Sequence, residues 1–261
     1  MIGGPREERG VVVTGGGRGI GAAAARRLAR DGRAVVVAAR SAHEVEAVAA
    51  GLRAEGARVA AIECDVADEA GVRKLGEAAR GFLGSADILV HSAGASASAP
   101  FHRIALEDWN RMLSMNATSA FLCVREFLPA MIERGWGRIV IVASIAGLEG
   151  ARYITHYSAS KHAVVGLVRS LAAELAGTGV AVSALCPGYV DTPMTERTIE
   201  NVERKAGLDR SGALAAVLKA AGQERLLLPD EVAAQVAVLC GNEARDVNGR
   251  VIVVKPEAAA S

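Results

Sequence analysis

The stretch Gly10-Val11-Val12-Val13-Thr14-Gly15-Gly16-Gly17-Arg18-Gly19-Ile20-Gly21 decides the fold. A run of valines without a polar residue reads as a strand covered on both sheet faces, because a half-wetted strand alternates apolar and polar. The glycines follow directly. After them Gly19–Asp31, rich in Ala and Arg, predicts a helix. A dinucleotide pyrophosphate must approach backbone N–H groups at a helix N-terminus, and side chains there would block it. Gly15, Gly19 and Gly21 permit the tight turn and the close approach. Thr14, Gly17, Arg18 and Ile20 complete the candidate cradle. A glycine turn of purely structural use is the competing reading. The strand before and the helix after are the context that favours a cradle.

The same rhythm runs outward through the 261 residues. Strands are expected at Ala34–Ala39, Val59–Glu63, Ile88–His91, Arg138–Ala143, Val180–Leu185 and Val251–Val254. Helices are expected over 42–55, 69–82, 106–134, 157–176 and 229–240. Strand–helix alternation of this kind makes parallel β-α-β units with right-handed crossovers. The expected fold is α/β: a doubly wound parallel sheet of the Rossmann type, helices on both faces, in a single dinucleotide-binding and catalytic domain over residues 1–261. One segment, Asp191–Leu228, breaks the rhythm with no strand of its own, and is expected to be a substrate lid.

Lys+Arg is 30 and Asp+Glu is 29, a net charge of +1, with no basic run. That argues against a bulk electrostatic binder of nucleic acid or a membrane surface. No apolar run reaches the 18 or so residues of a membrane span. Met1–Gly10 is polar and lacks the apolar core of a signal peptide, so a soluble cytoplasmic protein is expected. Cys64, Cys123, Cys186 and Cys240 show neither CxxC nor zinc spacing and read as buried free thiols. The five histidines form no HExxH, and His156 and His162 stand six apart; no metal site is expected.

The residue ending the second strand bears on the coenzyme. An acid there holds the ribose 2′-OH of NAD. This chain has Ala39 followed by Arg40, with Arg18 projecting from the glycine loop. Two guanidiniums suit the 2′-phosphate of NADP. The alternative is that both are solvated residues of an Arg-rich chain, with NAD as coenzyme. Farther on, Tyr157 and Lys161 are four apart on a predicted helix and share a face. An ammonium beside a phenol favours the phenolate and lowers the phenol pKa, which suits proton transfer near neutrality. Lys161 is one of only five lysines among 30 basic residues. Ser144 closes the strand Arg138–Ala143, where strand ends face the ligand crevice, and its hydroxyl could meet a substrate oxygen. A serine in an ordinary turn is the other reading.

With these residues in view, the chain resembles the short-chain dehydrogenase/reductase family from about Gly10 to Val254. The motifs fall in that family's order: Thr14 to Gly21, Asp65-Val66 at the adenine, His91-Ser92-Ala93-Gly94, Asn116, then Ser144, Tyr157 and Lys161. Pro187-Gly188, Val190 and Thr192 match the segment at the nicotinamide carboxamide. The resemblance implies hydride exchange between nicotinamide and a carbinol carbon. Tyr157 would move the proton, Lys161 would lower its pKa and hold the ribose, and Ser144 would position the substrate oxygen. Asn116 would hold a water linking Lys161 to solvent. It also implies a homotetramer or homodimer.

Two departures stand out. His91-Ser92 replaces two asparagines and reads as structural or cofactor-edge. The end Val253-Val254-Lys255-Pro256-Glu257 lacks the common Asp-Gly-Gly, so the last strand is expected to end differently. The stretch Tyr157–Val190 is similar to polyketide ketoreductases and 3-oxoacyl reductases, which implies a CoA- or carrier-linked 3-oxoacyl/3-hydroxyacyl thioester. A secondary alcohol or cyclic ketone dehydrogenase using NAD(H) is the alternative. A non-catalytic nucleotide sensor would be expected to lose one of Ser144, Tyr157 or Lys161. In the insert, Arg197, Arg204, Lys205, Arg210 and Lys219 are balanced by Glu196, Glu200, Glu203 and Asp209, the pattern of a solvated amphipathic lid.

Overall fold

Seven strands stand in the order β3-β2-β1-β4-β5-β6-β7, every neighbouring pair parallel. They are β1 Val11–Thr14, β2 Val35–Ala39, β3 Val59–Glu63, β4 Ile88–His91, β5 Gly137–Val142, β6 Val180–Pro187 and β7 Val251–Val254. The helices between them are α1 Gly19–Arg30, α2 Ala42–Ala54, α3 Glu69–Leu83, α4 Leu106–Leu113, α5 Ser119–Glu133 and α6 Thr155–Glu174. The insert carries α7 Pro193–Ala206 and α8 Arg210–Ala220, and α9 Pro229–Leu239 leads to β7. The computed structural model describes residues 9–242 and 244–256. Residues 1–8 of the segment read for a signal peptide, and Glu257 of the C-terminal departure, lie outside the described residues.

The continuous apolar strands are explained by two cores, one on each sheet face. Val12, Val36, Leu89 and Ile139 enter one core; their chain neighbours Val11, Val35, Ile88 and Val140 enter the other. Successive strand side chains point to opposite faces, so a sheet covered twice needs no polar positions. β1 pairs with both β2 and β4, and Thr14 lies level with His91. The chain winds in opposite directions on either side of β1 and β4, and their C-terminal ends open the crevice where such sheets bind ligands.

Most elements fall within a residue of the sequence expectation, and three differ in ways that bear on the site. The helix expected over 106–134 is interrupted by a π-turn at Ser114–Thr118. The wider turn changes the helical phase and directs Asn116 inward, where it is buried. α6 begins at Thr155, so Tyr157 lies inside its first turn. β6 continues to Pro187, and its last four residues pair with Val251–Val254, which leaves Lys255-Pro256 beyond the ladder. Within the insert, Val190 and Leu227 form a parallel bridge that closes its base. Among the described residues, no helix is long and apolar enough to cross a membrane.

Gly15 has φ +67°, and a Cβ there would stand 2.6 Å from the Ala93 nitrogen. Gly15→Ala therefore combines left-handed strain with a backbone clash. It is expected to lower stability by about 2 kcal/mol or more. Urea unfolding checks this; a change within about 0.5 kcal/mol, the range of a neutral surface substitution, would contradict it.

Candidate active site

The turn from β1 into α1 is packed backbone to backbone. A Cβ on Gly21 would lie 2.2 Å from the Gly15 carbonyl oxygen, so only glycine lets the helix start this close to the loop. No side chain caps α1. Its first N–H groups and the positive end of its dipole are thus suited to an anion. Beside them lies a cleft of about 290 Å³, lined by Gly15, Gly17, Arg18, Gly19, Ile20, Arg40, Val66, Ala93, Gly94 and Thr192 among others.

Three of the residues expected in this cradle lie outside the cleft. Thr14 is fully buried and its hydroxyl is bonded to His91 Nδ1 at 2.9 Å. Gly21 serves the packing just described. Asp65 turns its carboxylate back to the Ala67 N–H at 3.0 Å, and its neighbours Cys64 and Val66 face the cleft instead.

Glu44 is the residue the sequence reading missed. It lines the same cleft and accepts from Arg18 Nη1 at 2.9 Å. Ser41-Ala42-His43-Glu44 has the spacing of a helix capping box, and Ser41 Oγ does accept from Glu44 N at 3.3 Å. That signal places Glu44 on the first turn of α2, just past Arg40. The half-exposed ion pair adds little stability, but it orients the Arg18 guanidinium.

Ser144, Tyr157 and Lys161 line one adjoining cleft, together with Asn116, Gly94, Pro187, Gly188, Val190 and Thr192. Ser144 follows β5, and its Oγ accepts from Ala146 N at 3.1 Å. Lys161 Nζ donates to the Val142 carbonyl at 3.1 Å and stands 5.9 Å from the centre of the Tyr157 ring. Burial lowers the Lys161 amine to about 8. Burial raises the Tyr157 phenol, a hydrogen bond with Ser144 works the other way, and Tyr189 adds to the rise. Loss of water is the largest influence on Tyr157 and outweighs the Ser144 hydrogen bond. At neutral pH the phenol holds its proton.

Asn116 is a clamp. Its Nδ2 donates to the Ala95 carbonyl and to Ser160 Oγ, each at 3.0 Å, and its Oδ1 accepts from Ala95 N at 3.0 Å. Both amide N–H groups are spent on protein. Ser160 Oγ in turn donates to the Tyr157 carbonyl at 2.7 Å. A Cβ on Gly94 would come within 2.7 Å of Asn116 Oδ1 and 3.5 Å of Lys161 Nζ. The missing side chain there gives the clamp its room.

A third cavity, of about 500 Å³, shares Ser144, Tyr157 and Gly188 with the middle cleft and reaches under α7 and α8. Ile20, Gly94 and Thr192 join the middle cleft to the glycine-loop cleft. Three adjoining cavities thus follow one another from the glycine loop, past Tyr157 and Lys161, to the insert. The four cysteines are buried and free, as the sequence suggested.

Residues 9–203 match the family model for short chain dehydrogenases. The chain belongs to the short-chain dehydrogenase family. A ketoacyl reductase assigned to the granaticin polyketide synthase of Streptomyces violaceoruber is 39% identical over 93% of this chain and 90% of that protein. The 3-oxoacyl-[acyl-carrier-protein] reductase FabG of Aquifex aeolicus is 34% identical over 93% of this chain and 94% of its own. Among solved structures, a variant of actinorhodin polyketide ketoreductase with NADPH superposes with a TM-score of 0.91. It is 35% identical, over 95% of this chain and 96% of that one.

His91 distinguishes this short-chain dehydrogenase from the Asn-Asn-Ala-Gly pattern. It is buried between Thr14 Oγ1 at Nδ1 and Ser119 Oγ at Nε2, 3.2 Å away. Ser119 Oγ already donates to the Met115 carbonyl at 2.9 Å, so Nε2 must carry the ring proton and Nδ1 accepts from Thr14. The ring joins the ends of β1 and β4 to the π-turn and has no path to act as a base. Burial, with Lys161 nearby, lowers its pKa to about 3. The unfolded histidine titrates near 6.5, so between pH 6.5 and 3 the unfolded state binds more protons and stability falls as pH falls. His91→Asn is expected to flatten that slope by up to about 1.4 kcal/mol per pH unit, one proton's worth. Urea unfolding from pH 7 to 4 checks this, and parallel slopes for the two proteins would contradict it.

Proposed function

We propose that the chain is an NADP(H)-dependent ketoreductase that interconverts a ketone and a secondary alcohol, with a 3-oxoacyl thioester as its substrate class. The observation that carries this reading is the placement of Ser144, Tyr157 and Lys161 in the middle one of three adjoining cavities. A cradle with Arg18 and Arg40 lies on one side, and a cavity of about 500 Å³ lies on the other. The residues fit a phosphorylated dinucleotide. Gly15, Gly17 and Gly19 leave backbone bare where a pyrophosphate would pass, and the Arg18 and Arg40 guanidiniums that line the cleft would supply charge-assisted bonds to a 2′-phosphate. Relatives named as ketoacyl and 3-oxoacyl reductases, and the actinorhodin relative solved with NADPH, support the coenzyme and the substrate class.

When bound, the coenzyme supplies the hydride. This chain's own residues handle the oxygen. The protonated Tyr157 phenol donates to the carbonyl oxygen as negative charge grows there, and Ser144 orients that oxygen with its hydroxyl. Lys161, fixed by the Val142 carbonyl, places a positive charge in a site with little water, where it acts more strongly than in solvent. These donors help only insofar as they fit the developing alkoxide better than the ketone. Asn116 positions the group by tying the chain after β4 to Ser160, one residue before Lys161. Residues 191–228 form the lid. The cavity reaches the lid residues Arg197, Asn201 and Arg204, which leaves space for an acyl chain beyond the reacting carbon.

The reading includes a homodimer or homotetramer. Phe121 and Ile132 on α5 are each nearly half exposed, and Val238 on α9 is more so. Phe121 and Ile132 stand on one sheet face and Val238 on the other, and exposed apolar side chains of this size suit subunit contacts.

Tyr157→Phe is expected to lower kcat for acetoacetyl thioester reduction by about 10²-fold or more while leaving NADPH binding in place. Unchanged turnover would remove Tyr157 from the chemistry. Arg40→Asp is expected to reduce the kcat/KM preference for NADPH over NADH by about tenfold or more, because it replaces a charge-assisted bond with repulsion. An unaltered preference would show that Arg40 does not read the 2′-phosphate.

A further inference from the structure

We propose that Gln223 is a positioning residue whose side-chain amide fixes the Gly188–Tyr189 wall of the substrate cavity. The proposal rests on the ketoreductase reading and adds a residue to it. Gly188 and Tyr189 both line the cavity, and Gly188 also lines the cleft of Tyr157 and Lys161. The segment has just left β6, and beyond Pro187 its backbone pairing is the single bridge of Val190 with Leu227, which meets the Tyr189 carbonyl but not the Tyr189 N–H. Gln223 supplies the missing partner. Its Oε1 accepts from Tyr189 N at 2.7 Å and its Nε2 donates to the Tyr189 carbonyl at 3.2 Å. One side chain thus meets both polar groups of one residue's backbone, as a neighbouring strand would.

The clasp belongs to a longer chain of contacts. Leu227 N donates to the same Tyr189 carbonyl at 2.9 Å, and Asp191 N donates to Leu227 O at 2.8 Å. Gln223 Nε2 also reaches the Arg225 carbonyl at 3.2 Å. Arg225 then pairs through two nitrogens with Glu231, at 2.7 and 2.8 Å, and Glu231 accepts from Leu228 N at 2.7 Å. The foot of the lid is therefore anchored to the start of α9, and Gln223 passes that anchorage to the cavity wall. The amide packs close against Gly188: a Cβ on residue 188 would stand 2.3 Å from Gln223 Oε1. Neither Gln223 nor Tyr189 lines the glycine-loop cleft or the middle cleft, and the two bonds of the clasp fall on Tyr189, in the wall of the substrate cavity.

The test uses the full chain with Gln223→Ala and Gln223→Met, the second keeping length and bulk without the amide. KM and kcat for acetoacetyl thioester, the Kd of NADPH by fluorescence, and hydrogen exchange at the Tyr189 amide are measured. Both variants are expected to raise KM about tenfold, the equivalent of one net hydrogen bond. kcat should stay within about threefold and the NADPH Kd within about twofold of wild type, on the scale of a small fraction of one such bond. An unchanged KM in Gln223→Ala would overturn the proposal. So would a wild-type KM in Gln223→Met, which would make the role one of bulk, or a parallel rise of KM and NADPH Kd, which would mean general loosening. If the wild-type chain reduces no ketone, the failure lies with the proposed function. The Tyr189 amide then decides the clasp alone: exchange about tenfold faster in Gln223→Ala supports it, and unchanged exchange overturns it.

Discussion

Burying the Lys161 amine sets terms for everything around it. An ammonium out of water is tolerated only where its remaining bonds are made by protein, and here the Val142 carbonyl at the end of β5 makes one of them. That carbonyl is available because β5 ends there and the chain turns at Ser144. The half-buried Tyr157, one helical turn earlier on α6, suffers the same loss of water in the opposite sense: it is pushed to stay protonated while the lysine is pushed to lose its proton. Two groups set against each other in this way, on one helix face, keep a phenol proton ready for transfer beside a cation. Cys186 lies at the end of the adjacent β6, and burial raises its thiol instead of activating it.

The position of that pair depends on the helix phase at two places. α6 must start at Thr155 to bring Tyr157 and Lys161 to the crevice, and the π-turn at Ser114–Thr118 must face Asn116 toward it. Asn116 and Ser160 then bind the chain after β4 to α6. His91 secures the other side, joining the ends of β1 and β4 to Ser119 just past the π-turn. The result is a floor made of strand ends, over which the insert supplies the other wall.

Much of this was legible in the sequence because the relevant signals are local. The valine runs announced a sheet covered on both faces, and the cores on either side of β1 are the reason. The glycines before α1 marked a backbone approach that Cβ atoms would forbid. The i, i+4 spacing of Tyr157 and Lys161 placed both on one helix face. What escaped the sequence depends on partners far along the chain. The π-turn leaves no local composition signal, and the engagement of Asn116 with Ala95 and Ser160 appears only when three segments meet. The balance of burial over the Ser144 hydrogen bond at Tyr157 requires knowing how completely water is excluded. Glu44 was within reach, since the Ser41–Glu44 spacing is a capping box, but its turn toward Arg18 is a tertiary event. The insert read as a strandless break; its two helices and the bridge between Val190 and Leu227 depend on contacts across its base.

The central claim is that a buried ammonium, lowered by burial and held beside a protonated phenol, supports the chemistry. The most direct measurement is a pH titration of the Lys161 side chain in the folded protein by NMR, with selectively labelled lysine assigned through Lys161→Arg. The account predicts a midpoint near pH 8. A midpoint near 10.5, the ordinary value for a solvated lysine, would contradict it, because the amine would then not stand in the dry site next to Tyr157.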